Sequence, residues 1–388
     1  MNRVRILHIC LAGSYTDNWN YQENLLTKYH QKNGCDVTII TSQWHWNKTN
    51  TLIKADQEEY LNDDGVKVIR LKMKGKDNFY RKFKKYEKFY QKIEIVAPEI
   101  LFVHGCQFLD ISYIKKYKKN NSKVKIFVDN HADFSNSGTN WLSKNLLHKI
   151  IWKRCAKLIE PYVEKFYRVM PARVDFLINM YNIPKEKVEL LVLGADDEKV
   201  KETQKKNLRT RLREFHGILV TDFLIVTGGK IDLTKKQTIN LMRAVKAIEN
   251  ANVRLLIFGT FIEELKQEAE YLTDGAKIQN VGWINANDTY AYLEAADLVV
   301  FPGRHSVFWE QAVAQGKPAL FKYWEGTTHI DVGGNCEFLY EDTVEEIRKK
   351  IEHLIEDATA LKKMKIIAET NGMKKFSYSE IAKQSIRY

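Results

Sequence analysis

The residue types best suited to chemistry gather in one stretch, LVVFPGRHSVFWEQAVAQGKPALFKY (298–323). Its apolar opening (Leu298, Val299, Val300, Phe301) predicts a buried strand broken by Pro302-Gly303. Ser306 is placed to cap a short helix that Gly316 ends, and Pro318 opens a further strand. Arg304 and His305 then stand just before a helix N-terminus at the carboxyl end of a parallel strand. Free N–H groups and the helix dipole attract anions there, and open α/β sheets bind ligands at such ends. Glu310 is a lone carboxylate inside this helix, an acceptor-only group. Its neighbours Phe308, Trp309 and Val313 argue against the blander reading of a solvated helix residue. Upstream, Gly228-Gly229 after an apolar run lets a ligand approach the backbone closely. Lys230 and Lys235 follow, although Lys235 and Lys236 also fit a solvated charge run. Together these residues predict a phosphate-bearing ligand.

Weaker candidates also follow predicted strands. They are Gly13 and Ser14 in AGSYTDNW, His131 in VDNHADF, and Glu325 and Thr327 in KYWEGTTHID. The pairs Asp63-Asp64 and Asp196-Asp197 lie in polar stretches without a companion histidine, so no metal site is expected.

The elements that must position these residues repeat one grammar. VRILHIC (4–10), DVTIIT (36–41), VKVIRL (66–71), ILFVHG (100–105) and VKIFVD (124–129) read as strands separated by helical stretches. DFLIVTGGK (222–230) restarts the series, with VRLLIFG (253–259), KIQNVGWI, the helical NDTYAYLEAA and LVVFP after it. Apolar strand runs alternating with helices imply doubly wound parallel sheets. At 388 residues the chain exceeds one ordinary core, so two α/β domains are expected. The boundaries fall at 1–198, with a returning helix over 372–388, and at 199–371. The charged segment 196–216 between them reads as helical. No apolar run approaches the roughly 20 residues of a membrane helix, and ILHICLAG reads as a first strand rather than a signal peptide. Five widely spaced cysteines without a CxxC fit a reducing cytoplasm.

The order of these motifs resembles the GT-B glycosyltransferases of the large retaining group 1, or GT4-like, family, which includes bacterial capsule and lipopolysaccharide enzymes. FYRVMPARVDFLINMYNIPKEKVELLVLGADDE is similar to the family's approach to its interdomain link, with Leu193-Gly194-Ala195-Asp196 where Asn-Gly-Val-Asp is usual. TGGKIDLTKKQ resembles the family's phosphate loop, Lys230 standing in the arginine place and Lys235 in the lysine place. LLIFG, VGWI, LEAADLVVFP and EQAVAQGKP follow in the family's order. One feature departs from it. The family carries two glutamates eight positions apart; Glu310 matches the second, but Pro302 stands in the first place and the loop is about four residues shorter.

The resemblance implies two Rossmann-like domains facing a cleft, the last helix crossing back to the first domain. It assigns Glu310 to the ribose hydroxyls of a nucleotide diphosphate-sugar, and Lys230 and Lys235 to the diphosphate leaving group. Gly229, Gly13, Ser14, Arg304, His305 and Ser306 would complete donor binding, with His131 near the reacting sugar and Glu325 and Thr327 touching sugar or acceptor. Transfer would retain configuration, need no metal or other cofactor, and deliver the sugar to a lipid-linked or polysaccharide acceptor in cell-surface glycan synthesis.

Net charge is +12, and it is uneven. Residues 1–200 hold 34 Lys+Arg against 23 Asp+Glu, leaving 27 against 26 in the remainder. The run KMKGKDNFYRKFKKYEKFYQK (72–92) interleaves nine basic residues with Phe79, Tyr80, Phe83, Tyr86, Phe89 and Tyr90. The spacing 79, 83, 86, 90 predicts an aromatic helical stripe on anionic lipid, hence a cytoplasmic, peripheral location on the inner face of the plasma membrane. The alternative is aromatics packed on the sheet. Nucleic-acid binding is not expected, because no recognised module is present. Two other functions remain open: a nucleotide-sugar 2-epimerase, and a non-catalytic glycan- or lipid-binding member of a synthesis complex.

Overall fold

The computed structural model describes residues 3–47, 51–75, 83–130, 143–170 and 176–387. The chain divides into two compact units, one of Met1–Val192 with Ile381–Tyr388, the other of Leu193–Glu380. Among the described residues no helix is long and apolar enough to cross a membrane, and all five cysteines are free and buried.

The first unit is built on β1 (Arg5–Cys10), β2 (Asp36–Ser42), β5 (Glu59–Leu61), β6 (Lys67–Leu71), β7 (Ile100–His104), β8 (Lys125–Asn130), β9 (Lys165–Arg168) and β10 (Val188–Leu190), with a side hairpin of β3 (Trp44–Trp46) and β4 (Leu52–Lys54). The sheet order is β10-β9-β8-β7-β1-β2-β6-β5, parallel throughout except for the edge strand β5. Every residue of β7 is buried, as a strand covered on both faces requires. The order reverses between β1 and β7, so the loop carrying Gly13 and Ser14 leaves the sheet at its switch point. A Cβ on Gly13 would meet nothing within 4 Å.

Three histidines cross the interior of this unit in a hydrogen-bonded row. His104 Nδ1 lies 2.7 Å from Asp129 Oδ2, His104 Nε2 2.9 Å from His8 Nδ1, and His8 Nε2 2.9 Å from His30 Nδ1. His30 Nε2 ends the row, 2.9 Å from the Ala382 carbonyl and 3.0 Å from Ser385 Oγ of the helix Tyr378–Ser385. Burial lowers the basicity of His8, helped by the neighbouring charges of His30 and His104. Burial likewise brings His30 down to about 4.

The expected aromatic stripe over 79, 83, 86 and 90 is not what the described residues form. Lys84 and Lys88 take left-handed φ of 52° and 54°, so no single helix runs from 83 to 90. Tyr86 instead pairs with Met73 in an isolated antiparallel bridge and donates its hydroxyl to the Leu11 carbonyl at 3.0 Å. Phe89 opens the helix Phe89–Val96 and is buried, edge-on to Phe108. Tyr86 and Phe89 pack inward, and the period breaks at two left-handed lysines. Phe79 and Tyr80 lie outside the described residues.

The second unit holds β11 (Phe223–Ile231), β12 (Val253–Phe261), β13 (Ile278–Gly282), β14 (Leu298–Phe301), β15 (Ala319–Lys322) and β16 (Cys336–Leu339). All pairings in its sheet are parallel, in the order β13-β12-β11-β14-β15-β16. Its switch point lies between β11 and β14. The charged segment 196–216, expected between the domains, falls inside the second unit and is helical as expected, over Asp197–Lys205 and Leu208–Phe215. Asp196 caps the first of these by accepting from Glu198 N–H at 3.0 Å. From the second, Arg213 turns inward to Asp297 Oδ2 at 3.0 Å, where Leu224 N–H also donates at 2.8 Å.

Candidate functional site

The loops after β11 and β14 meet at the switch point of the second sheet. Gly229 has φ +111°, a conformation side-chain residues avoid, and pairs in register with Gly259. A Cβ on Gly229 would come within 3.2 Å of the Phe308 ring and 3.8 Å of Lys235 Nζ, so the glycine holds that ammonium close to bare backbone. Lys235 ends a 3-10 turn (Leu233–Lys235) begun by Asp232, whose carboxylate accepts from Thr234 N–H at 2.9 Å and Thr234 Oγ1–H at 2.6 Å. The β14 loop is tied to this turn twice. Arg304 N–H donates to the Thr234 carbonyl at 3.2 Å, and a Cβ on Gly303 would stand 2.7 Å from Lys235 Cα. Burial lowers the Lys235 pKa, Asp232 pulls it up, and Arg304 pulls it down. Arg304 and Lys230 are exposed. Gly229, Lys235, Gly303 and Arg304 are therefore brought together in one corner.

Glu310 stands beyond the same β14 loop, in the helix Phe308–Ala314. Trp309 anchors that helix by stacking on Phe321 of β15, with ring centres 4.5 Å apart. Ser306 does not cap it. Val307, at the N-cap position, is already helical, and the Ser306 carbonyl rather than its hydroxyl takes the Trp309 N–H at 3.0 Å. Ser306 Oγ is left buried without a partner in the protein. Gly316, with φ +70°, ends the helix as expected.

The Glu310 side chain is fully buried and held by two imidazoles. Oε1 lies 2.8 Å from His305 Nε2 and 3.0 Å from His329 Nε2, while Oε2 is buried without a partner. Burial pushes the carboxyl pKa up. The charge and hydrogen bond of His305, with the bond of His329, outweigh it and hold the group at about 2. His305 packs edge-on to Trp309 at 5.0 Å. His329 lies in a 3-10 turn (Thr328–Ile330) after β15, and its carbonyl accepts from Lys375 Nζ at 2.7 Å.

These three side chains are also the one His/Glu group among the described residues with metal-ligand spacing, their donor atoms all within 4.8 Å. The geometry fits hydrogen bonds better. Zinc donors at about 2.0–2.2 Å from the ion sit roughly 3.3 Å from each other, longer than the 2.8 and 3.0 Å here. Metal-bound histidines also pass their second nitrogen to an acceptor, and His329 Nδ1 is buried without one.

Other candidates sit apart from this cluster. Thr327 spends its hydroxyl on the Trp324 carbonyl at 2.8 Å, closing a turn through Gly326 (φ +75°), and Glu325 projects from that turn exposed. Gly13 and Ser14 belong to the first unit. His131 lies outside the described residues. The sequence reading missed His329, whose only local signal is its place two residues past Thr327 in the loop after a strand.

Residues 222–357 match the family described as Glycosyl transferases group 1. No curated protein matches the chain in sequence. Among solved structures, Anabaena Alr3699/HepE in complex with UDP is similar at TM-score 0.68 and 14% identity, over 98% of each chain. Sucrose-phosphate synthase from Thermosynechococcus elongatus is similar at TM-score 0.65 and 13% identity, over 98% of this chain and 97% of that one. WaaG, a glycosyltransferase involved in lipopolysaccharide biosynthesis, is similar at 0.57 and 15%, over 98% of each. At these identities the likeness shows the fold: two Rossmann-like α/β units of the GT-B kind, with Lys235 and Glu310 both inside the segment similar to group 1 glycosyl transferases.

Proposed function

We propose that this protein is a glycosyltransferase whose second unit binds a nucleotide diphosphate-sugar and whose first unit presents the acceptor. The observation that carries the reading is Glu310 Oε2, an acceptor on an ionised, buried carboxylate with no partner in the protein. A carboxylate of this kind suits a ribose hydroxyl, which brings its own O–H donor. Lys235 Nζ lies close to Gly229 and the exposed Lys230 follows it on β11, where both would stabilise charge developing on a departing diphosphate. The match of residues 222–357 to group 1 glycosyl transferases supports the assignment.

In this proposal the sugar is transferred with retention, without a metal, to a lipid-linked or polysaccharide acceptor. The basic first half of the chain, with Lys85 and Lys88 exposed, fits an anionic surface as its neighbour.

A thermal-shift panel of UDP, GDP, ADP, CMP and their common sugar conjugates tests the reading, since a ligand of the native state raises its apparent stability. One selective nucleotide, whose shift shrinks in Glu310→Gln, is the expected result. A nucleotide-sugar altered without any acceptor would replace transfer by an epimerase-type activity. No shift with any nucleotide at millimolar concentration would refute a donor site.

A further inference from the structure

Glu310 differs in one respect from a carboxylate that takes a ligand hydroxyl on each oxygen. Its Oε1 already accepts two N–H groups, so that oxygen has no capacity left for a ligand. The two donors come from different parts of the chain. His305 leads into the helix that carries Glu310, whereas His329 arrives from the turn after β15. Bonds from two directions fix the carboxylate plane, because rotating the group about its last bond would break at least one of them. Both histidines must present N–H at Nε2, and Oε2 remains as the sole open acceptor.

We infer that His329 and His305 are positioning residues for the ligand-binding carboxylate, holding Glu310 so that Oε2 alone faces the nucleotide. This rests on the donor-site reading of Glu310 for its ligand, but it makes a separate claim about which residues set that acceptor. His329 is the informative one of the pair, since His305 also packs on Trp309 and its loss would disturb the helix entry. The titratable groups facing the carboxylate are His305 and His329, with Lys375 one step behind on the His329 carbonyl.

The test compares His329→Ala, His329→Gln and Glu310→Gln in the full chain, using the nucleotide-sugar that stabilises the wild type. A glutamine can return an N–H near the place of Nε2. His329→Ala should raise donor KM about tenfold, with the loss in KM rather than kcat. The acid limb of donor binding should also move to higher pH, because the carboxylate has lost a donor that favours its charged form. His329→Gln should recover most of the affinity. Unchanged KM and pH profile in His329→Ala, with Glu310→Gln impaired, would overturn this inference and leave the donor site standing. A loss in His329→Ala that glutamine does not restore, with kcat and KM affected alike, would also overturn it in favour of a structural role. Donor binding untouched by Glu310→Gln would sink the donor-site reading itself.

Discussion

Gly259→Ala offers a measurement of how tightly the candidate site is built into the second sheet. Gly259 has φ +103°, and an added Cβ would stand 2.0 Å from the Gly229 carbonyl oxygen, 2.6 Å from its carbonyl carbon and 2.9 Å from its nitrogen. All three lie inside the 3.0 Å that real Cβ atoms essentially never enter, and all are backbone, so no side chain can swing away. The ends of β11 and β12 would have to part by about 1 Å or more. Overpacking of this kind costs roughly 1–3 kcal/mol, and the left-handed backbone about 1–2 kcal/mol more. The sum, about 2–5 kcal/mol, is a large share of a typical unfolding free energy of roughly 5–15 kcal/mol. For a unit of this size it lowers the melting temperature by roughly 4–20 °C. Gly275→Ala is the matched control, with φ +74° and nothing within 4 Å of its Cβ. Thermal and urea melts should place Gly259→Ala clearly below Gly275→Ala, with nucleotide binding weakened in the former because Gly229 moves. Equal losses in the two variants would show that backbone angle alone accounts for the cost, and the close-approach argument would fail.

Two further results are expected. Glu310 has a folded carboxyl pKa of about 2 against an ordinary 4.5, which corresponds to about 3 kcal/mol. That stability is fully present above about pH 4.5 and lost as pH falls through 2. The deficit of Glu310→Gln in denaturant melts should therefore be flat from pH 7 to 5 and shrink below; a deficit that is constant down to pH 3 would contradict the clamp. Asp297→Asn removes the charge that Arg213 and Arg209 share at 3.0 and 2.5 Å. It leaves the buried Arg213 guanidinium without its counter-ion, at a cost of about 3 kcal/mol in the same melts, and a loss under 1 kcal/mol would mean the carbonyls around Arg213 suffice.

The sheets were legible in the sequence because parallel strands buried on both faces leave unbroken apolar runs, as ILFV (100–103) and LVVF (298–301) do. Gly229 and Gly316 were legible for a related reason, since both sit where only a residue without Cβ is comfortable. What failed was anything decided at long range. The aromatic spacing of 79–90 obeys a helical period, yet two left-handed lysines interrupt it and the sheet supplies a core for Tyr86 and Phe89. Ser306 has the right chemistry for a cap one residue too early, because Val307 already continues the helix. His329 reaches Glu310 across nineteen positions and two elements, a pairing that no local pattern encodes. His8 illustrates the same limit inside an apolar strand, where a buried imidazole is indistinguishable from a lapse in the pattern until its partners appear.

That row of imidazoles has a polarity. His8 and His30 are neutral near pH 7, so each owns a single N–H to give. The Ala382 carbonyl can only accept, so the His30 N–H sits on Nε2 and its bare Nδ1 takes the N–H of His8 Nε2. His8 Nδ1 is then bare in turn and accepts from His104 Nε2. The hydrogens of the row therefore all point from the strand end at Asp129 toward the final helix, and one backbone carbonyl of that helix sets the tautomer of two rings in the sheet unit.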